Sequence, residues 1–515
     1  MLRPFRLGHG LVQSRAAAAG GGLHRLALSH EPLRWFADRP GYRWWVVGTV
    51  CLGAFMGQLD ASIATLLIPT LRRVFHDPLA DVEWVAIAYL LVLVGLVVMF
   101  GRLADMFGRK EMYTLGFLVF SAGSAACGAA GRLEVLIIAR IAQAVGAAML
   151  QANSVAIITQ AVERSDLGRA IGIQGAAQAI GLSVGPALGG FLISTLGWQW
   201  AFYINLPVGA VGTVMGWLVL PTSGAGQTKA EPFDWLGLAI FAPGTAIAMY
   251  IASQGQLLGW TSPRMLSLMA ISPVLLILFL LWEHKARFPM VDLQLFKDRL
   301  FSASIVAGLL SYAVLFGALF LIPIFLERAL RQTPESTGLT LTAVPVALAV
   351  AAPFAGYLSD RFGSRGLTAG GMLVAGGALL LLEKVPAGAT LTLMAVLALL
   401  GMGVGAFTPP NNAAIMGAAP RNRLGVAGGI LNMTRGLGTT FGVVGTGAVL
   451  TWWQRIYGEE WKPGDGRRVV FRVTGAFHQT VLFLLALAIV TAVISLIRGR
   501  ASILDAGMGM EQELL

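Results

Sequence analysis

The sequence predicts an all-α integral membrane protein of fourteen transmembrane helices, arranged as two six-helix halves with two helices inserted between them. Three observations predict it: a composition too apolar for a soluble chain, apolar runs near the roughly 20 residues that cross a bilayer, and a charged ten-residue turn that occurs twice. Of 515 residues, 56% are hydrophobic and 12% charged, too little charge to cover a soluble protein of this size. The 64 glycines and 22 prolines would weaken soluble helices and are common in packed membrane spans. A net charge of +11 fits Lys and Arg gathered in cytoplasmic loops, and no nucleic-acid partner is expected.

The elements follow in chain order. Residues 1–43 form a basic tail, with Glu31 and Asp38 its only acids. An organelle transit peptide, a cytoplasmic tail or a start codon placed too far upstream would each explain it. Residues 44–220 form the first half, with spans starting near Trp44, Val82, Met112, Leu133, Leu167 and Trp200. Residues 221–300 hold the insertion, with spans near Trp235–Gln254 and Met265–Trp282. Residues 301–498 form the second half, with spans from Phe301, Gly338, Leu367, Leu391, Leu424 and Ala476, and 499–515 are a second tail.

An even number of spans leaves both termini on one side. The odd-to-even loops then hold 12 Lys and Arg and the opposite side 23, so both termini are expected in the cytoplasm and the protein in the cytoplasmic membrane. Cys51 and Cys127 lie inside apolar runs and read as small buried hydrophobes. No metal-binding pattern, phosphate-binding loop or nucleophile elbow is present, so no enzyme, metal or cofactor is expected.

The charged turn reads GRLADMFGRK at 101–110, and a second copy, GYLSDRFGSR, stands at 356–365. Each closes the second span of its half, which implies two homologous halves. Gly101 and Gly108 permit a tight turn and close helix approach. Asp105 can cap the positive end of a neighbouring helix, with Arg109 holding it there. Asp360 and Arg361 are the latch candidates of the second copy, which departs from the first at its basic end and should form the weaker latch.

GRLADMFGRK closely resembles the loop motif of the major facilitator superfamily. LIIARIAQAVGAAML (136–150) is similar to the fourth-span motif, and AIGLSVGPALGGFL (179–192) to the fifth-span motif of its antiporters. QLDASIATLLIPTL (58–71) and GWQWAFYINLPVG (197–209) resemble the first and sixth spans of the fourteen-span drug:proton antiporter family. The resemblance covers roughly residues 42–500. It implies that the decamer latches onto span eleven of the twelve-span core, near Gly425, when the cavity faces outward. It also implies export of lipophilic drugs against an inward proton flow, with no cofactor beyond the proton gradient, by a chain that can act as a monomer. A dedicated exporter of an endogenous metabolite, lipid or siderophore would use the same machinery.

Individual residues point the same way. Asp60 is the one carboxylate well inside a span of the first half, and a buried membrane charge is functional by default. Loss of water disfavours its charge and a nearby guanidinium favours it. Arg140 lies at similar depth on span four, so pairing is feasible, and the resemblance implies a proton-coupling role for the two. Arg140, Gln143, Ala147, Gln151 and Ser154 fall on one helix face, which lines a wet cavity or a partner helix, the substrate cavity being the favoured reading. Gln174 and Gln178 on span five and Asn411 and Asn412 on span ten are further candidates, whereas Arg435 is expected to snorkel to the interface. Gly181, Gly185 and Gly189, with Gly190 beside them, form a small face next to Pro186, where the resemblance implies the contact that controls leak and exchange. With no well-buried acid in the second half, monocations and neutral or zwitterionic lipophiles are the expected substrates. The loop at 451–475, with Trp452, Trp453 and Trp461, is the candidate dock for a periplasmic adaptor, and interfacial anchoring explains its tryptophans equally well.

Overall fold

The computed structural model describes residues 31–222, 232–259, 262–328, 334–382, 384–385, 389–456 and 466–497. Among the described residues every regular element is helical. In the first half the long helices are α1 (Tyr42–Phe75), α2 (Trp84–Phe107), α3 (Arg109–Gly128), α4 (Leu133–Ala161), α5 (Leu167–Thr195) and α6 (Asn205–Val219). The inserted pair is α7 (Trp235–Leu258) and α8 (Pro263–Lys285). The second half comprises α9 (Arg299–Arg328), α10 (Ala343–Phe362), α11 (Ser364–Leu382), α12 (Thr390–Ala418), α13 (Leu424–Ile456) and α14 (Gly466–Ile497).

Twelve of these segments are long and apolar enough to cross a membrane. The other two, α3 and α13, have 20 and 33 residues, so length is not what sets them apart. They are less apolar: α3 opens on Arg109, Lys110 and Glu111, and α13 is rich in Gly and Thr and carries Arg435. A count of fourteen spans therefore rests on these two helices, α3 packed within the first half and α13 packed on α9 of its own half and on α2 of the other.

One apolar core runs from the first half across the seam into α9, α12 and α13, and another lies within the second half. Tyr113, Phe117 and Phe120 of α3 pack beneath α4 in the first, and Met372, Leu379 and Phe407 lie between α11 and α12 in the second. The halves meet along α2 against α13 and α5 against α10. Each seam has one point where backbones touch. A Cβ on Gly101 would meet the Gly425 carbonyl oxygen, and one on Gly356 would meet that of Gly168. Glycine is required there because any side chain would push the two halves apart.

The inserted helices pack on one another and on α2. Asp234 caps α7 by accepting from the Gly237 amide at 2.8 Å and also accepts from Trp282 Nε1 on α8 at 2.9 Å. Ser262 accepts from the Met265 amide and Pro263 opens α8, an ordinary helix start. Of the basic tail, residues 31–41 are ordered against α6: the Leu33 amide donates to the Leu218 carbonyl at 3.0 Å. Residues 1–30 lie outside the described residues, as do Glu383, Trp461 and the C-terminal tail. Trp452 and Trp453 belong to α13 itself, so most of the described part of the expected docking loop is helix.

Candidate functional site

Three features share the molecule: a charge network buried in the first half, a pair of helix-capping latches at one end, and a small cavity between the halves. In the first, Asp60 of α1 is 2% exposed and Arg140 of α4 is 1% exposed. Arg140 Nη1 donates to Asp60 Oδ2 at 2.7 Å, so the two helices are joined by a direct ion pair. The other carboxylate oxygen accepts from Gln143 Nε2 at 2.8 Å and Asn205 Nδ2 at 2.9 Å. Arg140 also donates through Nη1 to Gln143 Oε1 at 2.6 Å and through Nε to the Val85 carbonyl at 3.1 Å. Tyr89 covers the guanidinium, its ring centroid 4.2 Å away. Ser124 accepts from Gln143 at 2.7 Å and closes the network.

Such a pair contributes little net stability, because desolvation opposes the Coulombic gain. Its chemical content lies in its asymmetry. A carboxylate can be neutralised by one proton, whereas the guanidinium stays charged. Protonating Asp60 would leave Arg140 without its counterion in this arrangement.

The latches lie at the end of the molecule that carries both decamers. Asp105 accepts from the amides of Gly425 at 2.8 Å and Val426 at 2.9 Å, at the N-terminus of α13. Arg109 clamps it through Nη2 at 2.6 Å and Nε at 3.0 Å, and also donates to Gln160 and the Arg421 carbonyl. The turn needs Gly108, whose φ is +117°. In the second half Asp360 accepts from the amides of Gly168 at 2.7 Å and Arg169 at 2.8 Å, capping α5. There the place of Arg109 is taken by Ser364, and Arg361 turns away onto the Tyr357 ring at 4.5 Å. The second cap thus lacks the arginine clamp.

The cavity between the halves is about 30 Å³, room for roughly two waters. Gln174, Gln178 and Asn412 line it, together with Tyr312, Asn432 and Arg435. Gln151 and Ser154 line a second recess with Gln58 and Gln178.

Three expectations are corrected here. Gln143 is fully buried in the Asp60 network and lines neither space. Asn411 is also fully buried and donates to the Ser304 carbonyl at 2.9 Å, tying α12 to α9. Arg435 does not snorkel: its Nη1 donates to Gln178 Oε1 at 2.6 Å across the seam between the halves. Of the fifth-span glycines, Gly181, Gly185 and Gly189 press against Phe55, Ser62 and Ile63 of α1, with Pro186 beside them. Gly190 faces open space and takes no part in that contact.

Sequence reasoning missed Asn205, Ser124 and Tyr89 as members of the network. Asn205 carried a signal, as a strongly polar residue in the otherwise apolar run AFYINLPVG; a lone serine in SAGSAAC carries none.

Comparison with known proteins agrees with this architecture. The family model of the Major Facilitator Superfamily matches residues 50–284 and 300–509. The riboflavin transporter RibZ of Clostridioides difficile is 33% identical over 404 residues, 78% of this chain and 87% of that protein. The multidrug resistance protein Stp of Mycobacterium tuberculosis is 34% identical over 404 residues, 78% of this chain and 75% of that protein. Among solved structures, the human organic anion transporter MFSD10 superposes with a TM-score of 0.61 at 14% identity, covering 89% of this chain and all of that one. The chain is a multi-pass membrane protein and belongs to the Major Facilitator Superfamily of transporters.

Proposed function

We propose that the protein is a fourteen-span proton-coupled antiporter of the cytoplasmic membrane, with both termini in the cytoplasm, that exports lipophilic small molecules by alternating access. The observation that carries this reading is the Asp60–Arg140 pair, an ionisable carboxylate held by three donors and buried from solvent. In this reading a proton from outside neutralises Asp60 and frees Arg140, and the first-half helices rearrange. Release of the proton to the cytoplasm resets the pair. Each proton supplies roughly 2.3 kcal/mol per 100 mV of membrane potential. The two aspartate caps hold the cytoplasmic end shut while the other end opens, and opening the cytoplasmic end requires breaking them. No cofactor enters the cycle, one chain contains both halves, and a periplasmic adaptor would dock on the 451–475 segment.

Relatives support export of toxic compounds. One is named as a multidrug resistance protein and another, from Streptomyces glaucescens, as a tetracenomycin C resistance and export protein. A second reading, a carrier dedicated to one metabolite, is favoured by the relative named as a riboflavin transporter. The test is proton movement in proteoliposomes loaded with a pH-sensitive dye. Drug addition should drive proton movement in the wild type and none in Asp60→Asn. Equal movement in both would overturn the reading, and a response to one metabolite alone would favour the dedicated carrier.

A further inference from the structure

The cavity between the halves carries an unbalanced positive charge. Arg435 stands eleven residues along α13 from Leu424, roughly 16 Å from the helix start and so deep in the membrane. Among the described residues it makes no ion pair, and its side chain donates one hydrogen bond, to Gln178. A guanidinium has five N–H donors, so most of its capacity is unused by protein. No Asp or Glu lines the cavity. The helices that line it carry carboxylates only near their ends, at Glu134, Glu327 and Asp360, and Asp360 is occupied in capping α5. By contrast Arg140, the other intramembrane arginine, has its acid partner at 2.7 Å. Arg435 is half-buried, and a cation held at membrane depth without a counterion is expensive and is retained where something else supplies the charge.

We propose that Arg435 is the anchor for a single negatively charged group of the substrate, so that the transported compounds are lipophilic anions or zwitterions and not the monocations expected from the sequence. A planar carboxylate can accept two parallel N–H bonds from the guanidinium. Tyr312, whose ring lies 5.4 Å from the guanidinium, and the apolar walls of Ile171 and Leu348 receive the body of the molecule. The Asn432 amide is occupied by the Gln151 and Gly428 carbonyls, so it ties α13 to α4 and leaves the charge of Arg435 as the main means of discrimination. At about 30 Å³ the cavity is closed around this group in the conformation described, and a substrate enters only once one end has opened. The proposal names the substrate class of the transport reading above and rests on it only in calling the ligand a transported one.

The test is equilibrium binding to purified protein in neutral detergent, with no gradient, of three probes sharing one fluorescent ring: anionic dansylglycine, neutral dansylamide and cationic dansyl-ethylenediamine. The wild type should bind the anion at least about tenfold more tightly than the other two, the loss expected when a buried charge lacks its partner. Arg435→Gln should abolish that preference, and Arg435→Lys, which keeps the charge, should retain it. Anion binding by Arg435→Gln as tight and as selective as by the wild type would overturn the proposal. So would equal binding of the three probes by the wild type, preference for the cation, or binding of none. Binding needs no proton, so anion-selective binding by a protein showing no proton exchange would uphold Arg435 as anchor while overturning the antiport reading.

Discussion

Replacing Asp105 with Asn should unlock the end of the molecule that carries the decamers. The carboxylate accepts two backbone amides at 2.8 and 2.9 Å and two guanidinium donors at 2.6 and 3.0 Å. Asparagine keeps one acceptor oxygen of nearly the same shape and loses the charge. The lost interaction with the helix N-terminus is worth about 0.3–1 kcal/mol. A charge-assisted hydrogen bond adds about 1.5–3 kcal/mol. Arg109 keeps Gln160 and the Arg421 carbonyl, which limits the penalty for leaving it without a counterion. The closed end should therefore lose about 2–4 kcal/mol relative to the open one, a shift of roughly 30- to 1,000-fold in their ratio. Spin labels on cysteines replacing Phe107 and Phe362, both exposed at that end, read the change as distances in a background lacking Cys51 and Cys127. Asp105→Asn should add a longer distance population. Asp360→Asn should add a smaller one, since Asp360 has the two amides and no arginine clamp. Distance distributions identical to wild type in a folded Asp105→Asn protein would refute the latch.

Two further outcomes follow from contacts. Gly101→Ala places a Cβ against the Gly425 carbonyl oxygen, so it should cut transport strongly and lower thermal stability by about 1–3 kcal/mol, whereas Gly190→Ala, which meets nothing within 4 Å, should match wild type in a melting assay. The Tyr89 hydroxyl is buried without a partner while its ring covers Arg140, so Tyr89→Phe should melt within about 0.5 kcal/mol of wild type and Tyr89→Ala should cost about 3–5 kcal/mol.

Much of this was legible in the sequence because membrane helices obey strict rules. Apolar length locates the helices, and the repeated decamer identifies the second helix of each half, which is where both latches stand. Depth arithmetic on Asp60 and Arg140 worked because both sit on long, regular helices, where residue number converts directly to height. The same helix geometry concealed Gln143. It shares a face with Gln151 and Ser154, yet Arg140 to Ser154 spans roughly 21 Å of that face. The upper part meets Asp60 and the lower part a recess, and composition cannot say where the change occurs. Arg435 and Asn411 were misplaced for a related reason. Whether a polar side chain faces a cavity, a partner helix or the interface depends on helix rotation, which packing between distant segments sets. Asn205 and Ser124 reach Asp60 only because α6 and α3 fold beside α1, a contact between residues 145 positions apart in the case of Asn205.

The central claim, that Asp60 exchanges its proton against bound substrate, is tested most directly on purified protein in weakly buffered detergent solution, where no gradient or vesicle intervenes. Adding a substrate that binds should release protons from the wild type, in an amount that saturates with occupancy. Asp60→Asn should bind the same compound and release none. Equal proton release from the two proteins, or saturated binding by the wild type with no release at any pH at which the protein stays folded, would contradict the claim.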